Sequence, residues 1–308
     1  MRLLSDPNYK EFRLYHYCSN KCDKQANAAF LMGCFMIIVL KVSADEAWAA
    51  LAPYHNQFLP YRDASYALHC SYPCTIEHCL QGLEFAIKLG WYDFRKFDNK
   101  EYEYYERVEN GDLNWIIPGK FIAFMGPLDN VSRFERRGNT PEDYLQVFKH
   151  FNISRVVRLN EAKYDRNKFL KAGIAHTDLY FLDGSTPPPQ IVDEFLELAE
   201  NEQGGIAIHC KAGLGRTGTL IGLYAMKHFK FPAAAFIGWI RIARPGSILG
   251  PQQHYLIENE ARFLGEHSPA RLQKNKMKLE MSPEDKRRSL YGEYRQGDGL
   301  VDRKLTSP

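Results

Sequence analysis

The chain predicts an α/β fold, a mostly parallel sheet flanked by helices. Two observations carry this expectation. Short apolar runs alternate with helix-patterned segments between residues 115 and 264, the order of a parallel sheet covered on both faces. Inside that stretch Gly205-Ile206-Ala207-Ile208 reads as a buried strand, and TGTLIGLYAMKHF from Thr217 has the apolar spacing of a buried helix. At 308 residues and 45% apolar content, the chain can form one large or two small domains with a proper core.

The first part of the chain is helical. Its longest apolar run, Ala28 to Leu40, is too short to span a bilayer and reads as a core helix. An alanine-rich helix follows from Ser43 to Leu51. Asp93 to Asp112 holds a crowd of acids, Glu101, Glu103, Glu106, Glu109 and Asp112, either a solvated helix face or a groove for a basic side chain. Trp115–Pro118 and Phe121–Phe124 open the sheet. Pro141–Phe151 is an amphipathic helix and Val156–Leu159 a strand. A further apolar strand runs from Asp178 into Asp183, before a loop of Gly, Ser, Thr and three prolines. Helices then cover Pro188–Glu200, Thr219–Phe229, Ala233–Ala243 and Pro251–Gly265. From Ser268 to Pro308 the apolar pattern is lost, and a disordered tail is expected.

His209 to Gly218 reads HCKAGLGRTG, and this string carries the candidate chemistry. A cysteine six positions before an arginine, between a strand and a helix, forms a cradle for phosphate. Backbone N–H groups of Lys211, Ala212, Gly213, Leu214 and Gly215 turn inward above the positive end of the helix dipole. Arg216 offers a planar fork to two phosphate oxygens. The same field favours a thiolate at Cys210, the candidate nucleophile for a covalent cysteinyl-phosphate. His209 is expected to be buried and to orient the loop, and Thr217 to donate its hydroxyl to the departing thiolate. Asp183, on its strand-mounted loop, is the candidate general acid and later base; Asp178, inside the strand, ranks below it.

The segment from His16 to Gly33 can be laid over HCKAGLGRTGTLIG: a histidine ending a short strand, a polar loop, then a helix of small and apolar residues. It reads as a degenerate repeat of the catalytic unit. Tyr17 stands in place of the nucleophile, and no arginine stands at the required place. Net charge is only +3, giving no global case for nucleic-acid binding. Seven cysteines lack a paired metal-binding spacing, so free, mostly buried thiols are expected, with no metal and no cofactor. A thiolate enzyme needs a reducing, intracellular compartment.

Six stretches together resemble the cell-division-cycle 14 (mitotic-exit) family of dual-specificity phosphatases: KQANAAFLMG, LPYRDASY, YERVENGDLNWIIPGKFIAFMGP, FLDGSTP, HCKAGLGRTGTL and IRIARPGSILGPQQH. The resemblance covers roughly residues 24 to 264. It implies a dual-specificity/tyrosine phosphatase fold preceded by a truncated, degenerate copy of itself. The expected division is a non-catalytic remnant at 1–92, an acidic linker helix at 93–112, the catalytic domain at 113–267 and the tail at 268–308. The remnant is expected to pack on the catalytic domain. The resemblance assigns Cys210 as nucleophile, Arg216 as phosphate-binding arginine and Asp183 as general acid. It raises Glu103, Glu106 and Asp112 as groove acids that select a basic residue downstream of phosphoserine-proline, and Gln252 or Gln253 as the group that places the hydrolytic water. Implied partners are phosphorylated proteins, the substrates of cyclin-dependent kinases, with no nucleic acid and no membrane. Implied addresses are the nucleus and cytoplasm, with nucleolus, centrosome or spindle among them.

Rival readings stand beside this one. A phosphoinositide phosphatase shares HCKAG-GRTG but tends to carry a second loop lysine, where this chain has Leu214. A non-catalytic phospho-binding scaffold needs Asp183 misplaced, and a tyrosine-specific enzyme needs a deeper cleft. In the tail, Lys274, Lys276, Lys278, Lys286, Arg287 and Arg288 read as a solvated face or an import patch, and Ser268, Ser282 and Ser307, each before a proline, as self-substrates.

Overall fold

The computed structural model describes residues 2–65, 71–130 and 138–265. The tail expectations and Cys70 lie outside those residues. The N-terminal half is helical: α1 (Arg2–Ser5), α2 (Cys22–Phe35), α3 (Ala44–Ala49) and α4 (Ile76–Lys88), then the linker helix α5 (Asn99–Glu106). The sheet half follows as β1 (Leu113–Ile117), β2 (Phe121–Phe124), α6 (Pro141–His150), β3 (Ile153–Arg158), α7 (Asn167–Lys171), β4 (Ala175–Asp178), α8 (Pro189–Asn201), β5 (Gly205–His209), α9 (Gly215–Phe229), α10 (Ala233–Ala243) and α11 (Pro251–Leu264).

The five strands lie in the order β1-β2-β5-β3-β4, antiparallel only between β1 and β2. β5 is central and buried along its whole length, which explains its unbroken apolar sequence. One core, built on Phe121, Ile206, Ile208, Phe195 and Phe236, lies between the sheet and α8 to α10. A second, built on Phe124, Tyr144, Phe148, Val156 and Phe169, lies under α6 and α7 on the other face. Helices on both faces of a mostly parallel sheet are what the alternating pattern predicts.

The N-terminal half packs on the sheet half through α4 and α10. The two helices cross at glycines: a Cβ on Gly82 would lie 2.3 Å from Ala235 O, and one on Gly238 would lie 2.3 Å from His78 O. Helix α4 went unread in the sequence. Thr75 caps it, and Ile76, Cys79, Leu80, Leu83 and Ala86 are its buried positions, a helical spacing.

Three expectations are corrected. The short strand before α2 does not form: residues 13 to 19 are irregular and exposed. The apolar run at Ala28–Leu40 belongs to a longer helical stretch, because Cys22–Asn27 begin the helix and Met36–Leu40 continue it as a π-helical turn. That stretch, Cys22–Leu40, is long and apolar enough to cross a membrane by length and composition only, and its buried Ala26, Ala29 and Ile37 share a small core with Ala44, Ala47, Ile76 and Leu80. Cys18 and Cys22 are exposed, whereas Cys74, Cys79 and Cys210 are buried.

Candidate active site

β5 ends at His209 and α9 begins at Gly215, so Cys210 to Leu214 form the turn between them. Gly213 has φ 65°, and a Cβ there would lie 2.0 Å from Phe124 O; only glycine fits. Each carbonyl of the turn is engaged from outside. Cys210 O accepts from His209 Nδ1 at 2.9 Å, and Lys211 O from Gly126 N at 3.0 Å. Ala212 O and Gly213 O accept from Arg244 Nη2 and Nε at 3.0 and 2.8 Å. Leu214 O accepts from Gly218 N and Ile248 N. With the carbonyls turned out, the N–H groups of Ala212, Gly213 and Leu214 meet no protein acceptor among the described residues. This is an arrangement that receives an anion.

Arg216 is buried at the floor of this turn. Its Nη1 donates to Leu159 O at 3.0 Å and Phe181 O at 2.8 Å, which fixes the guanidinium plane. Nη2 lies 3.1 Å from Asp183 Oδ1, and Nε has no partner. The Nε–Nη2 edge, the side suited to two oxygens, is the one that no backbone carbonyl occupies. Thr217 is fully buried with its hydroxyl unpartnered. Burial pushes the Lys211 ammonium down from its ordinary value.

Asp183 lies beyond β4 rather than at its exit. β4 ends at Asp178 because its partner β3 ends at Arg158. Residues 179 to 182 still alternate, with Leu179 and Phe181 buried and Tyr180 and Leu182 exposed, which is the pattern the sequence showed. Leu179 N donates to Arg158 O and Phe181 N to Leu159 O, which ties them to the end of β3. Asp178 is the last strand residue and is paired with Arg158 Nε at 2.6 Å and Arg166 Nη1 at 3.2 Å. Burial raises its proton affinity, but the two arginines outweigh this and hold the carboxyl below its ordinary range.

His209 is fully buried, and burial pushes its pKa down to about 3. Because Nδ1 donates to Cys210 O, Nε2 accepts from Tyr164 Oη at 2.8 Å. Tyr164 Oη then accepts from His176 Nε2, also at 2.8 Å. Burial pushes His176 down to about 4, and its Nδ1 has no partner. A chain of neutral hydrogen bonds thus runs from β4 to the carbonyl of Cys210.

The chain is similar to known phosphatases. Residues 1–86 match the family described as the dual specificity protein phosphatase N-terminal half, and residues 132–230 match one described as polymorphic toxin system, DSP-PTPase phosphatase. Dual specificity protein phosphatase CDC14A of Mus musculus is 52% identical over 252 residues, 81% of this chain and 42% of its own. The chain belongs to the CDC14 family. The tyrosine-protein phosphatase CDC14 homolog of Schizosaccharomyces pombe is 43% identical over 80% of this chain and 47% of its own. The solved structure of Tk-PTP in the active form aligns with 49% of this chain and 96% of its own at 22% identity and a TM-score of 0.40. The chain spans about half the length of the CDC14 relatives it matches, between 40% and 55%.

Within this CDC14 chain the three acids raised for the groove separate. Glu103 and Glu106 are exposed on α5. Asp112, unlike the two glutamates, is fully buried, with Oδ1 3.0 Å from Arg244 Nη1. Its charge compensates the arginine that grips the cradle carbonyls. Arg244 itself, 1% exposed, went unread; its signal was a lone arginine before proline where α10 stops. Tyr164 and His176 also went unread, since they lie far from the motif in sequence. The two glutamines separate as well. Gln253 spends its amide on Asp63 Oδ2, Gly250 O and Arg241 Nη2. Gln252 reaches the acid loop, with Nε2 3.0 Å from Ser185 O, and its Oε1 would lie 2.7 Å from a Cβ on Gly215 of the cradle.

Proposed function

We propose that this chain is a cysteine-dependent dual-specificity protein phosphatase that hydrolyses phosphoserine, phosphothreonine and phosphotyrosine in proteins. The carrying observation is the convergence of Cys210, the outward-held cradle carbonyls and the Arg216–Asp183 contact at 3.1 Å. In the first step the Cys210 sulfur forms a bond to phosphorus, the ester P–O bond breaks, and Asp183 gives its proton to the leaving alkoxide. The N–H groups of Lys211 to Gly215 and the Arg216 fork hold the equatorial oxygens. Phosphate oxygens taking Arg216 Nη2 displace Asp183 from that nitrogen. In the second step Asp183 takes a proton from water, the water oxygen bonds to phosphorus, and the P–S pair returns to Cys210, with the Thr217 hydroxyl donating to it. Gln252 is the glutamine we assign to the water, since Gln253 is committed elsewhere.

The preferred site in this proposal is phosphoserine followed by proline with a downstream basic residue. It is the mark of cyclin-dependent kinases, and removing it gives the enzyme a role in cell division in nucleus and cytoplasm. Glu103 and Glu106, exposed on α5, supply the negative charge for that basic residue. The test is turnover on matched peptides: phosphoserine-proline with and without a downstream lysine, phosphothreonine-proline and phosphotyrosine. Preference for the first, abolished by Cys210→Ser, is the expected result. Faster turnover of phosphoinositides, or none by a folded wild type that still binds phosphopeptide, would overturn it.

A further inference from the structure

We propose that Asp63, a residue of the N-terminal half, is a positioning residue for the second chemical step. Asp63 is buried in a short segment that lies against the start of α11. Its Oδ2 accepts from Gly250 N at 2.8 Å and from Gln253 Nε2 at 2.9 Å. Its Oδ1 accepts from Ser65 N at 3.0 Å and from the Ser65 hydroxyl. Gly250 takes the N-cap position of α11 with φ 49° and ψ −125°, and no side chain of its own caps the helix. The carboxylate of Asp63 is what fixes that turn.

The turn is one residue from Pro251 and two from Gln252. Gln252 spans the acid loop at Ser185 O and the cradle at Gly215, and it retains one amide N–H and one oxygen lone pair. A rotation of Gly250 therefore moves the one amide placed to hold water against a cysteinyl-phosphate. The neighbours of Asp63 point the same way. Ala64 N donates to Gly246 O, and its methyl packs against Ala212, Leu214 and Leu249. Tyr61 O accepts from Arg241 Nη1 at 2.9 Å. The N-terminal half thus reaches the cradle and its glutamine by a segment of five residues, Tyr61 to Ser65.

This rests on the phosphatase reading, in which hydrolysis of the P–S bond returns the electron pair to sulfur and the water proton to Asp183. Asp63 touches neither substrate nor reacting atom, so its loss acts through Gln252 and weighs most on that step. The experiment is pre-steady-state release of p-nitrophenolate from p-nitrophenyl phosphate by the full chain, wild type against Asp63→Ala and Asp63→Asn. The asparagine keeps the Ser65 contacts through its oxygen while turning an amide N–H toward Gly250, so it serves if the alanine variant fails to fold. The expected result is a retained burst, one p-nitrophenolate per chain, with kcat lowered about 10-fold and kcat/KM unchanged. Acid quenching during turnover is expected to trap more chain phosphorylated on Cys210 than in wild type. A parallel loss of kcat and kcat/KM with a smaller burst would make Asp63 merely structural. An unchanged kcat would overturn the proposal while leaving the phosphatase reading intact. A wild type that releases no p-nitrophenolate would remove both.

Discussion

The chain contains two loop–helix units that can be laid over one another, and in only one are the loop carbonyls held outward so that its N–H groups can receive an anion. In β5–cradle–α9 the strand is central, every carbonyl of the turn is engaged from outside, and the arginine is fixed by two backbone carbonyls. In the segment from His16 into α2 there is no strand, the loop is exposed, and Tyr17 stands free in solvent. Yet α2 still packs, with Ala26, Ala29 and Gly33 buried on one side. Packing of a helix survives loss of the loop before it, because it depends on side chains one helical face at a time. An anion site does not, because its donors are backbone groups whose direction is set by everything behind them.

The largest test of that comparison is Arg216→Lys. An ammonium cannot hold Leu159 O and Phe181 O and also present two parallel donors, so kcat/KM on the phosphoserine-proline-lysine peptide is expected to fall about 10³-fold. Tyr17→Ser and Cys22→Ser, in the other unit, are expected to change it less than about two-fold. Loss of activity in either of the latter would break the comparison. The packing role of the N-terminal half is tested by Gly82→Leu. Its side chain would meet backbone at Ala235 and Trp239, which cannot move aside, so a loss of about 3 kcal/mol is expected from urea unfolding. Gly33→Ala meets only the flexible end of Leu80 and is expected to cost about 1 kcal/mol. Equal midpoints for the two variants would mean that the α4–α10 crossing is not what joins the halves.

Much of this was legible in the sequence. The sheet half announces itself because buried parallel strands are continuously apolar and their helices are not, so β5 and α8 to α11 fall within a few residues of their predicted places. The cradle was legible because its chemistry needs particular residues at fixed spacing. What was illegible was pairing across long separations. Asp112 looks like one more acid in a charged linker until the fold brings Arg244 to it, 132 residues later. The β4 boundary was misplaced because alternation continues through Phe181 after the partner strand has stopped. Neither Tyr164 nor His176 carries any local mark of the relay to His209.

His209 and His176, both behind the cradle, carry the comparison to pH. His209 has a folded pKa of about 3 against an unfolded value near 6.5, and His176 about 4. Both are depressed, so the unfolded chain binds protons that the folded chain refuses. The stability they contribute is complete above about pH 6.5 and is lost as pH falls toward their folded values, at about 1.4 kcal/mol per pH unit for each histidine. Urea unfolding between pH 7 and 4 is expected to show this slope, reduced by one histidine's share in His209→Asn. A slope that His209→Asn leaves intact would mean that the buried imidazole is protonated in the folded state.

The smallest expected effect concerns the linker acids, and it separates selectivity from architecture. Glu103 and Glu106 lie three residues apart on α5, exposed, where a substrate lysine can approach both. Each gives a screened, solvent-facing attraction of about 1 kcal/mol or less. Glu106→Gln is therefore expected to lower the preference for the lysine-bearing peptide by about five-fold, through KM, and to leave the peptide without lysine unaffected. Because the attraction is screened, wild-type preference should also shrink as salt is raised. Asp112→Asn should behave differently. It strands the Arg244 guanidinium against the carbonyls of Ala212 and Gly213, so stability and turnover on both peptides fall together. If Asp112→Asn instead changed only the lysine preference, the buried pair would have to open to receive substrate, and the division between an outer selecting acid and an inner bracing one would fail.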